Sequence, residues 1–184
     1  SKLCASFAQR YPMVSFEFIT GTADHITDLM EHGLCDVGIL LEPVNVEKYD
    51  FIRMKNKETY SVLMRQDDKL AKKSVISPKD LRGRVIGLPG RRGVKNEVEH
   101  WLGDALDSVS VRFSFDLSTN AAIMVESGLG IAIVVTGSIP YLDNDILVMR
   151  PLKPKLMSQA IAVWKKGQPG SLAVAKFVRF VSAG

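Results

Sequence analysis

A chain of 184 residues, 46% hydrophobic and 24% charged, can bury a substantial core and has no low-complexity or single-sign tract of a disordered tail. Its formal charge of +4 is scattered in short pairs, Lys72-Lys73, Arg91-Arg92 and Lys165-Lys166, which reads as solvated surface and not as a nucleic-acid face. Two cysteines, Cys4 and Cys35, without CxxC spacing indicate neither a disulfide framework nor a zinc site, and no apolar run nears the roughly 20 residues that span a bilayer. The expectation is a soluble, cytoplasmic protein with no membrane segment and no cofactor.

In chain order, Val14, Phe16 and Phe18 alternate with Ser15 and Glu17, the period-2 pattern of a half-buried strand. A helix follows, with Thr22 or Asp24 as its N-cap, a stripe of Ile26, Leu29 and Met30, and Gly33 as its terminator. Asp36 to Leu41 is nearly continuously apolar, as expected of a strand covered on both faces. Strand, helix and strand in that order predict a right-handed parallel crossover. Phe51 to Met54 and Thr59 to Met64 predict two further strands, and Arg65 to Asp80 is polar.

A second α/β unit opens with a strand at Val85 to Leu88, the loop Pro89 to Gly93 and a helix from Val94 to about Leu106, striped by Val98, Trp101, Leu102 and Ala105. Val109 to Phe115 alternates as another strand. Thr119 to Glu126 is helical and closes on Ser127-Gly128, and Ile131 to Val135 is a buried strand. Ile146 to Arg150 and Gln159 to Trp164 are strand-like, and the last helix runs from Leu172 to about Val181.

No nucleophile lies beside a base, and no metal-ligand spacing is present. His25 and His32 share one predicted helix without a third ligand, and His100 beside Trp101 reads as structural. Gly128-Leu129-Gly130 precedes a strand where a dinucleotide fingerprint must precede a helix. Pro89-Gly90-Arg91-Arg92-Gly93 joins a strand to a helix N-terminus, where free N–H groups, the helix dipole and two arginines attract an anion. The same segment also reads as an exposed basic turn. Thr22-Ala23-Asp24 and Ser118-Thr119-Asn120 open helices after strands and read either as capping or, with the arginine loop, as polar lining of a ligand crevice.

The motif series resembles the effector-binding domain of LysR-type transcriptional regulators. It consists of Phe7 with Tyr11-Pro12, Gly33-Leu34-Cys35-Asp36-Val37-Gly38-Ile39, Asp68-Lys69-Leu70-Ala71, Ile76-Ser77-Pro78-Lys79-Asp80-Leu81, and Val125 through Ala132, and it spans nearly the whole chain. The resemblance implies a type II periplasmic-binding-protein-like α/β fold, two Rossmann-like lobes joined by crossing strands near Thr59 to Arg65 and Gln159 to Lys166. Lobe I would hold residues 1–64 and 162–184, and lobe II residues 65–161.

It also implies a small effector in the interlobe cleft, contacted by Thr22, Asp24, Gly90, Arg91, Thr119 and Asn120, with no catalytic residue. Lys2 to Arg10 reads as the later part of the first helix, so the lobe's first strand is expected to be missing. The winged helix-turn-helix that contacts DNA would lie outside this chain. A homodimer, with a first-lobe helix on the partner's Val94 to Leu106 helix and Trp101 contributing, would form part of a tetramer. A solute-binding protein of a transporter, or an enzyme on the same fold, are the alternatives.

Overall fold

The computed structural model describes residues 2–139, 141–167 and 170–183. The chain divides into two compact units, Ser1–Lys55 with Ala160–Gly184, and Asn56–Gln159. Both divisions fall inside strands, Tyr49–Arg65 and Met157–Lys165. The resemblance set them at 64/65 and 161/162.

In the first unit, helix α1 (Lys2–Arg10) carries Phe7, which is fully buried. Its ring lies 4.6 Å from Tyr11 and 6.1 Å from Phe16, and 5.1 and 5.4 Å from Phe177 and Phe180 of α5 (Leu172–Ala183). These tilted and edge-on contacts tie the two ends of the chain together through aromatic packing. Helix α2 (Ala23–Glu31) starts on Thr22, whose side chain accepts the His25 N–H at 3.2 Å. Gly33, at φ +73°, takes the left-handed turn that ends it. Ala23, Ile26 and Met30 pack against Leu40 of β1 (Gly38–Leu41) and against Ile161 and Val163 of β7 (Met157–Lys165).

Two expectations are corrected here. Val14 and Phe16 are half-buried and Ser15 and Glu17 exposed, but Phe18 is exposed, and Val14 to Ile19 joins no ladder among the described residues. The parallel crossover therefore does not form: β1 pairs antiparallel with β7, from Gly38 opposite Val163 to Leu41 opposite Ala160. Alternation reports one dry and one wet face and does not supply a hydrogen-bonded neighbour. Nor is β1 covered on both faces, since Ile39 is 55% exposed.

The two strands expected between Phe51 and Met64 are one, β2 (Tyr49–Arg65). Its polar centre, Lys55 to Glu58, resembles a turn in composition but continues extended.

In the second unit the sheet order is β6 (Leu147–Pro151), β2, β5 (Ile131–Val135), β3 (Val85–Pro89), β4 (Ser110–Phe115). β3 runs parallel to both β4 and β5, while β2 is antiparallel to β5 and β6. Leu63, Ala132, Val134, Phe115 and Leu147 of the strands pack with Ala121 and Val125 of α4 (Ser118–Glu126). Helix α3 (Arg92–Leu102) is shorter than the expected Val94 to Leu106, because Gly103 takes φ +50° and the chain tightens into a 3-10 turn over Gly103–Ser108.

The polar stretch after β2 is ordered by short-range bonds. Asp68 accepts the Leu70 N–H at 2.9 Å and pairs with Arg84, and Asp80 accepts from the Ser77 N–H and hydroxyl at 2.9 and 2.8 Å. Ser77 and Asp80 thus form a capping box on the 3-10 turn Pro78–Leu81.

Candidate functional site

The parallel strands of the second unit deliver their following loops to one end of the sheet. Pro89 and Phe115 stand opposite each other in register, so Gly90 and Asp116 leave side by side. The Gly90 N–H donates to the Phe115 carbonyl at 2.8 Å, and a Cβ on Gly90 would stand 3.1 Å from Asp116 Oδ1. The chain goes from β3 through α3 to β4 on one side, then returns through α4 to β5 on the other side of β3. The boundary between β3 and β5 is therefore a topological switch point, where an open parallel sheet leaves a crevice for ligands.

Four of the six residues expected to contact a ligand converge on this end. Arg91 is the N-cap of α3 and half-buried, and the helix start carries no side-chain cap; Arg92 is exposed in its first turn. Thr119 and Asn120 are exposed in the first turn of α4. The capping reading fails at α4, because its N-cap is Leu117 and no side chain caps it. Thr22 and Asp24 belong to the first unit: Thr22 caps α2, and Asp24 is exposed in the first turn, its carbonyl accepting from Thr27 Oγ1 at 2.9 Å. There the capping reading holds for Thr22.

Three residues that sequence reasoning missed lie at the same end of the second unit. Tyr60 stands opposite Val135 in the β2–β5 ladder, next to the carboxyl end of β5. Ser61, buried, has its hydroxyl 2.7 Å from that of exposed Thr136. Thr136 repeats the pattern of a small polar residue after a strand, but no helix follows it. No helix opening therefore marks it in the sequence.

Burial and the Glu97 carboxylate push the Tyr60 phenol up to about 12, opposed by Ser158 and Arg91. It stays protonated, a hydrogen-bond donor, at neutral pH. Among the described residues no cluster of three metal-ligating side chains occurs, and no helix is long and apolar enough to cross a membrane. His25, His32 and His100 are all exposed, and His32 Nδ1 lies 2.9 Å from the Asp28 carbonyl.

A shallow concavity in the first unit, bordered by Asn45, Glu47, Tyr49, Asp50, Phe51 and Lys166, has a different character. Lys166 Nζ is already engaged with the Glu47 carbonyl at 2.7 Å.

The second unit is an α/β sheet with polar helix starts gathered at a switch point, the place where open parallel sheets hold ligands. Residues 1–184 match the LysR substrate binding domain, and the chain belongs to that family. Its members are parts of transcription regulators and not enzymes, and their fold is the type II periplasmic-binding-protein-like one.

The chain is 27% identical over 180 residues to an uncharacterized HTH-type transcriptional regulator, YvbU, of Bacillus subtilis (strain 168), covering 96% of this chain and 60% of that protein. It thus spans about 60% of that relative's length.

Among solved structures it resembles the regulatory domain of CcmR from Synechocystis PCC6803, in complex with 2-PG, with a TM-score of 0.80 at 18% identity, over 99% of this chain and 88% of that one. The effector-binding domain of QuiR in complex with shikimate gives a TM-score of 0.81 at 17% identity, covering 98% and 87%. The C-terminal domain of a probable LysR family regulator from Rhodococcus sp. RHA1 gives 0.77 at 19%, covering 98% and 90%. At these identities the likeness establishes the fold alone.

Proposed function

We propose that this domain senses a small anionic effector, held in the interlobe cleft that the family resemblance implies, and so controls DNA binding by a winged helix-turn-helix outside this chain. The observation that carries the anion is Arg91, the uncapped N-cap of α3 at the β3/β5 switch point. Free N–H groups and the helix dipole there contribute roughly 0.3 to 1 kcal/mol, and a charge-assisted bond from the guanidinium adds the larger part. Gly90 is the proposed backbone contact, with Asp116 Oδ1 3.1 Å from where its Cβ would stand, and Thr119 and Asn120 present exposed side chains at the same end of the sheet. Thr22 and Asp24 are the contacts proposed from the first unit.

Relatives solved with 2-PG and with shikimate support a small polar ligand. The family supports a sensor over the transporter alternative. The reading includes a cytoplasmic protein acting as a homodimer within a tetramer, with α3 at the dimer contact. Trp101 is partly committed already, its indole N–H donating to the Pro154 carbonyl at 2.7 Å.

The test is calorimetric titration of the chain with shikimate, benzoate, phosphate and sulfate. Arg91→Ala with Arg92→Ala is expected to weaken the tightest of them at least tenfold. Unchanged affinity in that double variant would refute the anion site.

A further inference from the structure

Ser61 is 1% exposed, and among the described residues only it and Ser158 are polar and buried. Its neighbours in β2, Tyr60, Val62, Leu63 and Met64, are core residues, and an alanine in its place would pack there without burying a hydroxyl. The hydroxyl serves Thr136 instead: the two side-chain oxygens lie 2.7 Å apart, and Thr136 is exposed. Two hydroxyls in one contact carry two protons and use one. If Thr136 donated, the Ser61 proton would be buried with no acceptor among the described residues, at a cost of about 1–3 kcal/mol. Ser61 is therefore the donor, and the Thr136 proton is left over at the surface.

The backbone fixes Thr136 as well. Its N–H donates to the Thr59 carbonyl at 2.7 Å, and Gly137, at φ +77°, turns the chain so that the Ser138 N–H returns to the Val135 carbonyl at 3.2 Å. The β3–β5 register sets Ile86 opposite Ile131 and Gly87 opposite Ala132. Continued to the carboxyl ends, it sets Gly90 level with Val135 and Arg91 level with Thr136. Ser61 shares the sheet face of Leu63, which packs against α4, so the hydroxyl pair stands on the side of the sheet from which Thr119 and Asn120 start. One oriented donor is thus held at the switch point, level with the arginine loop.

We propose that Thr136 is an effector-contact residue, its hydroxyl donating a hydrogen bond to the anionic group of the effector, and that buried Ser61 is the positioning residue that orients it. This deepens the function proposed above and rests on it. Thr136 meets the anion as a neutral donor beside the cationic Arg91, and its orientation is settled before the ligand arrives, which lowers the ordering cost of binding.

The test uses Thr136→Val, which removes the hydroxyl and keeps the shape, Thr136→Ser, which keeps the hydroxyl, Ser61→Ala, the Ser61→Ala, Thr136→Val double variant, and the Arg91→Ala, Arg92→Ala double variant. All are titrated with shikimate, benzoate, phosphate and sulfate and melted without ligand. The proposal expects Thr136→Val to bind the tightest probe roughly tenfold more weakly, the worth of a hydrogen bond to a charged group, and Thr136→Ser to bind it like the wild-type chain. Ser61→Ala is expected to weaken binding by a smaller factor while its melting temperature holds, a split that a purely structural serine would not show.

Unchanged affinity in Thr136→Val, with weakened binding in the arginine variant, overturns the role of Thr136 and leaves the anion site standing. Wild-type affinity in the Ser61→Ala, Thr136→Val double variant overturns it too, since the loss in Thr136→Val would then come from the stranded Ser61 hydroxyl. Ser61→Ala with wild-type affinity and a lower melting temperature overturns the positioning role and marks Ser61 as structural. Absence of binding by all four probes to the wild-type chain overturns both readings.

Discussion

A Cβ on Gly130 would stand 2.6 Å from the carbonyl oxygen of Val85. The obstacle is backbone at the first residue of β3, which cannot rotate away, so the step from α4 into β5 requires a residue without a side chain. Gly130→Ala is expected to destabilise the second unit by about 1–3 kcal/mol, the usual cost of forcing atoms into a packed site. Chemical denaturation reads it directly. A midpoint equal to that of the wild-type chain would show that the strands separate at no cost.

Asp80 governs acid stability after β2. Lys73, with its Nζ 2.5 Å from Oδ1, and then the Ser77 N–H hold its carboxyl down to about 2. A depressed carboxyl contributes stability above its ordinary value near 4, and that contribution is lost as the pH falls from there toward 2. Asp80→Asn is expected to cost about 1 kcal/mol at pH 7, typical of a lost cap, and almost nothing at pH 2. Thermal melts of both proteins across that range check the convergence; a constant gap would contradict it.

Alkaline stability belongs to two tyrosines. Burial, and then the hydrogen bond to Glu31 at 2.7 Å, push Tyr49 up to about 12, where burial and Glu97 also hold Tyr60. The folded chain keeps these protons when the unfolded chain would release them, so stability falls as the pH rises from about 10 toward 12. Phenolate absorbance should show two tyrosines ionising late, together with loss of circular dichroism. Ionisation of every tyrosine near 10 with the fold intact would contradict this.

The sequence showed most elements of the second unit because their apolar runs are short and bounded by Gly, Pro and polar pairs, as at Val85 to Gly90 and Glu126 to Ile131. It misread Val14 to Ile19, where alternation was present without a ladder, and it split β2, because Lys55 to Glu58 is polar yet extended. Both errors concern strand pairing, which depends on residues distant in sequence. That Gly90-Arg91 and Thr119-Asn120 would share one end of the sheet was legible, because each loop announces itself after a strand. The same was not legible of Tyr60, Ser61 and Thr136, which reach the same end only through the β2–β5 register.

The central claim is that the ligand meets the carboxyl ends of β3, β4 and β5. Backbone amide chemical-shift mapping during titration with the tightest of the four anions tests it most directly. The account predicts the largest shifts at Gly90 to Gly93, Ser118 to Asn120 and Thr136, with the ligand recovered unchanged. Shifts confined to the concavity around Asn45, Tyr49 and Phe51, or conversion of the ligand, would contradict it.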